Sequence, residues 1–137
     1  MTRILAVAVP KGGTGKTTTT INLGAALAAR GQRVLLVDFD PQGNLTQSLG
    51  LRPSEVPETA YTAIKHYISH FEPRLERAIR PTASGMDLVP TSARLNLAND
   101  ELAVAMQREF VLQRLLAPIQ DQYDWVLIDT LPYLGCW

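Results

Sequence analysis

The stretch Lys11-Gly-Gly-Thr-Gly-Lys-Thr-Thr-Thr19 (KGGTGKTTT) decides how the rest of the chain is read. Gly12, Gly13 and Gly15 let the backbone fold tightly and turn successive N–H groups toward one point, which is how a loop holds phosphate oxygens. A helix starting there adds its positive N-terminal end. Lys16 supplies a full positive charge to β and γ phosphates, and the Thr17 hydroxyl is placed to ligate Mg²⁺. A generic glycine turn before a helix is the plainer alternative. At average composition, however, KGGxGK[ST] arises in a chain of this size with a chance on the order of 10⁻⁵. The stretch departs from G-x-x-x-x-G-K-[ST] in one respect: Pro10 stands where glycine is usual, and a second lysine, Lys11, follows it.

Working outward, Arg3 to Val9 (RILAVAV) and Arg33 to Val37 (RVLLV) are nearly continuous apolar runs on either side of the loop. Both are expected to be buried strands of a parallel sheet. Between them, TTTTINLGAALAARG predicts a helix with Ile21, Ala25 and Ala28 along one stripe and Gly31 at its C-terminal end. A strand, loop, helix and strand in this order cross over right-handed, which puts the glycine loop at the C-terminal edge of the sheet. The fold class expected is therefore α/β, a P-loop NTPase-like parallel sheet flanked by helices.

Further along, Asp40 to Leu51 has turn chemistry, and Arg52 to Glu58, with two prolines, reads as a surface connection. Thr59 to Ser69 predicts a helix with Ala60, Ile64 and Ile68 on one side, and Met86 to Val89 a short strand. Asn99 to Ala117 predicts an amphipathic helix, or two in succession, facing the core with Leu102, Met106, Phe110, Leu112 and Leu116. Trp125 to Ile128 is the last strand and runs into Asp129.

A carboxylate at the end of a hydrophobic strand beside a phosphate loop is the Walker-B arrangement, and Asp129 has that position. Asp38 and Asp40 follow the second strand at the same sheet edge. Asp38 reads equally as a metal-linked carboxylate or a structural strand-end residue. Asp40, one step further out, can point toward the γ phosphate and position or activate a water.

The chain's 137 residues suit a single domain, 1–137, and thirteen basic residues balance thirteen acidic ones. Nucleic-acid binding would need a local basic patch, and Lys and Arg are scattered. The single Cys136 cannot form an internal disulfide, and no stretch has the apolar length of a membrane span. A cytoplasmic location and no membrane partner are the expectation.

Taken together, KGGTGKTTTTINLGAALAARGQRVLLVDFDPQGNLT, MDLVPTSARL and YDWVLIDTLPYLG resemble the deviant Walker A ATPases, and within them the ParA/Soj partition ATPases, to which MinD is related. DPQGNLT is the wording of the ParA/Soj branch. The resemblance implies an ATP-hydrolysing partition protein with ATP and Mg²⁺ as cofactors, working as an ATP-dependent homodimer with a ParB-like activator. It implies that Lys11 through Thr18, including Thr14, contact nucleotide, and that Lys11 is the signature lysine crossing the dimer to the other subunit's phosphates. Lys11, Lys16 and Asp40 are then the catalytic set, with Asp40 orienting water, and Thr17, Asp38 and Asp129 the metal set.

Leu131 replaces the first proline of the family's D-T-P-P, and the chain stops at LGCW where relatives continue with basic DNA-binding residues. The expectation is a partial domain that keeps the phosphate and Mg²⁺ ligands, holds ATP weakly and does not bind DNA on its own. The competing expectations are a catalytically weak remnant that modulates a full-length relative, and an ATPase that positions another cargo.

Overall fold

The computed structural model describes residues 2–7, 14–40, 42–92 and 105–130. Five strands form one sheet: β1 (Arg3–Val7), β2 (Val34–Asp38), β3 (Arg80–Pro81), β4 (Asp87–Val89) and β5 (Trp125–Asp129), in the order β1-β5-β2-β4-β3. All neighbours are parallel except β3 and β4, a short hairpin turned at Gly85 (φ 81°). Pro81 has no N–H to give to a ladder, which suits this edge position. The hairpin strand is an element that the sequence pattern did not mark.

The helices are α1 (Thr14–Ala29), α2 (Asn44–Ser48), α3 (Ala60–His70) and α4 (Ala105–Leu116). They form layers on the two faces of the sheet. On one face α3 and α4 bury Ala63, Ile64, Leu112 and Leu115 against Leu35, Val37, Val126 and Ile128. On the other, Ile21, Leu27 and Ala28 of α1 and Leu45 of α2 cover Leu36, Leu88 and Leu127. Strand alternation separates the two sets, and the central strands β2 and β5 have apolar side chains on both faces because both faces are covered.

Helix ends follow local chemistry. Gly31 takes φ 79° after α1, and the Gln32 amide returns to the Leu27 carbonyl, a glycine-terminated helix end. Thr59 caps α3 through a reciprocal pair with Thr62.

Three expectations change. Ala25 is exposed, and Gly24 instead lies under α1, where its missing Cβ would fall 2.6 Å from Met86 Sδ. Phe110 is 51% exposed, while Val111, Leu112, Leu115 and Leu116 form the buried stripe of α4; Leu102 and the Met106 side chain lie outside the described residues. β1 is not buried: no described element covers its outer side, and Ile4 and Leu5 are each 41% exposed.

Candidate functional site

Parallel register brings the strand ends level. Asp129 at the end of β5 pairs with Asp38 of β2 on one side and Val7 of β1 on the other. The first turn of α1 lies over these ends, and its Lys16 and Thr17 are both 5% exposed. Lys16 Nζ donates to Asp40 Oδ2 at 2.7 Å and to the Thr130 carbonyl at 2.9 Å, and lies 3.0 Å from Asp129 Oδ1. Thr17 Oγ1 donates to Asp129 Oδ2 at 3.1 Å.

An ammonium so deep would lose its proton without partners. Burial pulls the Lys16 pKa down, but the hydrogen bond to Asp40 and the close negative charges of Asp129 and Asp40 outweigh it and hold it above 10.5. Burial pushes Asp129 above the usual carboxylate value, against the opposing pull of Lys16 and Thr17.

Asp38 is fully buried and its oxygens are already engaged. Oδ2 accepts from the amide of Thr46 at 2.9 Å and from its hydroxyl at 2.6 Å, and Oδ1 accepts from the Asp40 amide at 3.2 Å. Burial pushes its pKa up to about 7, the three donors notwithstanding. So placed, Asp38 holds the loop that follows β2. Asp40 Oδ1 accepts from the Gln42 amide at 3.0 Å, so both oxygens of Asp40 are oriented, one of them toward Lys16.

Lys16, Thr17, Asp40 and Asp129 thus converge, with Asp38 behind them. Thr18 lies beside them on a cavity of about 180 Å³ that Thr17, Asn44, Gln47 and Ser48 also line. Thr14 and Gly15 begin α1, while Lys11, Gly12 and Gly13 lie outside the described residues, as do Pro10, Leu131 and Cys136. Two participants escape sequence reasoning. The Thr130 carbonyl has no side-chain mark, and Thr46 is legible only through Gly43, a helix-capping position that has no side chain with which to cap.

The donor set suits a hard divalent cation. Two buried carboxylates, Asp40 and Asp129, flank one ammonium, and Asp129 Oδ1, although 3.0 Å from Nζ, accepts no hydrogen bond among the described residues. No cluster of three or more His, Cys, Asp or Glu side chains among the described residues could hold a metal by itself. Mg²⁺ takes one or two protein oxygens and completes its shell with water and phosphate.

Residues 2–137 match the family model for an AAA domain. The chain is 40% identical over 135 residues to the sporulation initiation inhibitor protein Soj of Bacillus subtilis, covering 98% of itself and 52% of Soj. It is 41% identical over 135 residues to the chromosome partitioning protein ParA of Caulobacter vibrioides, covering 97% of itself and 49% of ParA. Among solved structures, cobyrinic acid a,c-diamide synthase of Mycobacterium smegmatis with bound ADP and magnesium superposes with a TM-score of 0.86 at 42% identity, over 96% of this chain and 52% of that one. A McdA–ATP complex from Cyanothece gives 0.80 at 32% identity, over 96% and 48%. The chain spans about half the length of these relatives. With its KGGTGKTTT sequence, and with its strand-end carboxylates and sheet in this arrangement, the chain belongs to the AAA-domain family of P-loop NTPases, in the ParA/Soj group.

Proposed function

We propose that this chain binds Mg²⁺ and ATP at the Lys16 cluster and hydrolyses the γ phosphate, as part of an ATP-dependent DNA-partition cycle. The observation that carries the proposal is the convergence of Lys16, Thr17, Asp40 and Asp129, all buried at one strand edge. Likeness to structures holding ADP, ATP and magnesium supports the choice of ligand. In this reading Lys16 exchanges its present acceptors for phosphate oxygens, Thr17 and Asp129 hold the metal, and Asp38 acts on the metal-linked shell through the loop. Bound Mg²⁺ would neutralise phosphate charge and orient the terminal group. Asp40, once freed from Lys16, accepts a hydrogen bond from water and aims it at phosphorus.

Lys11 through Thr18 would cradle the phosphates, and Lys11 would reach the nucleotide of a second copy, making the active form a homodimer. A ParB-like protein is the expected activator, non-specific DNA the partner of the full-length family, and the cytoplasm the expected location. Steady-state phosphate release from Mg·ATP by the wild type, Lys16→Ala and Asp40→Ala tests the reading. Release by the wild type, lost in both variants, is expected; equal, negligible release in all three overturns it. The likeness to cobyrinic acid a,c-diamide synthase favours a second reading, an ATP-dependent synthetase that converts a carboxylic acid and a nitrogen donor into an amide. Phosphate release that requires an added carboxylic acid would select it.

A further inference from the structure

We propose that Thr46 is a positioning residue for Asp40, acting through Asp38. The proposal rests on the reading of Asp40 as the residue that orients water. Thr46 is fully buried in the first turn of α2, 30 positions from Lys16 in sequence yet two hydrogen bonds from Asp40 in space. Its amide and hydroxyl both donate to Asp38 Oδ2, at 2.9 and 2.6 Å. The hydroxyl also accepts from the Thr91 amide at 3.0 Å, in the segment that follows β4. From the other oxygen of Asp38 the order passes on, since the Asp40 amide donates to Asp38 Oδ1 at 3.2 Å. The Gln42 and Gly43 amides then donate to the Asp40 carboxylate and carbonyl, each at 3.0 Å.

This arrangement explains how α2 starts without an ordinary cap. Gly43 takes φ 73° and has no side chain to offer, and a Cβ there would lie 3.2 Å from Thr91 Cγ2 and from Pro53 Cγ. The free amide of the helix's first turn is satisfied instead by Asp38 from the preceding strand. One carboxylate therefore fixes both ends of the loop that carries Asp40, and the Thr46 hydroxyl is what ties that carboxylate to the end of β4. Valine at this position keeps the shape but leaves the Thr91 amide without its acceptor and Asp38 with one donor fewer. Serine keeps both bonds.

The test compares wild type, Thr46→Ser, Thr46→Cys and Thr46→Val by ATP kinetics and by hydrogen exchange of the peptide spanning 39–43, with the β5 peptide as a control for global opening. Thr46→Val is expected to lower kcat about tenfold with KM for ATP changed less than about twofold. The 39–43 amides should exchange about tenfold faster while β5 is unchanged. Thr46→Ser should match the wild type, and Thr46→Cys, with its weak thiol donor, should fall between, so that the series still decides if the valine variant does not fold. Unchanged exchange at 39–43, exchange that rises equally in β5, or a serine variant no better than valine overturns the proposal. If wild-type phosphate release is absent, the ATPase reading fails, while the exchange series still decides whether Thr46 orders the Asp40 loop.

Discussion

Lys16 is held by the groups it would have to leave. In the present geometry its charge is spent on Asp40, Asp129 and the Thr130 carbonyl, so an arriving phosphate competes with a carboxylate 2.7 Å away. Charge-assisted bonds of this kind contribute roughly 1.5–3 kcal/mol each, and part of that is forfeited when phosphate displaces Asp40. Asp40→Ala should therefore bind a fluorescent ATP analogue about tenfold more tightly than the wild type while releasing no phosphate. Equal or weaker binding in a titration would show that the two do not compete. Asp38 gives a second residue-scale expectation. Its pKa rises from 3.8 to about 7 on folding, so between these values the folded chain holds a proton that the unfolded chain lacks. Stability from this group is then complete below the unfolded value and is lost as pH rises toward 7, with a slope of up to about 1.4 kcal/mol per pH unit. Denaturant unfolding from pH 4.5 to 7.5 should show that fall in the wild type and a flatter curve in Asp38→Asn. Lys16, Thr17 and Asp129 were legible because loop spacing and strand ends mark them. The partners of Asp38 were not, because they depend on where α2 starts.

At the scale of elements, α1 places Lys16 and Thr17 by lying close on the sheet, and Gly24 permits the approach. A Cβ there would meet Met86 Sδ at 2.6 Å and Leu36 Cδ2 at 3.2 Å, and both side chains are fully buried. Gly24→Ala gains about 1 kcal/mol of helix propensity, yet overpacking costs of about 1–3 kcal/mol should exceed it. The net expectation is a destabilisation of roughly 1 kcal/mol in denaturant unfolding. In a Met86→Ala background the clash is gone, and the same change should stabilise. Additivity of the two substitutions would refute the contact. Element type was readable from period and termini: Gly31 and the apolar runs marked α1 and the central strands. Element orientation was less readable. Phe110 fits a four-residue spacing from Leu102, but the neighbouring Val111-Leu112 and Leu115-Leu116 pairs carry more buried apolar surface and turn α4 so that Phe110 faces outward, under the Arg114 guanidinium 4.8 Å from its ring. Hydrophobic spacing names a stripe, and packing against the sheet decides between adjacent stripes.

At the scale of the whole molecule, the sheet has a well-covered centre and, among the described residues, an edge strand β1 with exposed apolar side chains. β2 and β5 are paired on both edges, whereas β1 pairs only with β5 among the described residues and presents Ile4 and Leu5 to opposite faces, each 41% exposed. The apolar run at Arg3 to Val9 reads as buried because composition cannot say how many layers surround a strand. A free strand edge with apolar flanks is a template for pairing with another chain. The chain in isolation should therefore self-associate as its concentration rises, and replacing both residues with threonine should suppress this. Threonine has the Cβ branching that strands favour, so the ladder to β5 is retained while apolar area is removed. Since both side chains are already partly in water, unfolding stability should change by less than about 1 kcal/mol. Light scattering against concentration is the measurement. Association unchanged in Ile4→Thr/Leu5→Thr would locate the sticky surface elsewhere, whereas association lost together with several kcal/mol of stability would mean that β1 is more enclosed than its side-chain exposure shows.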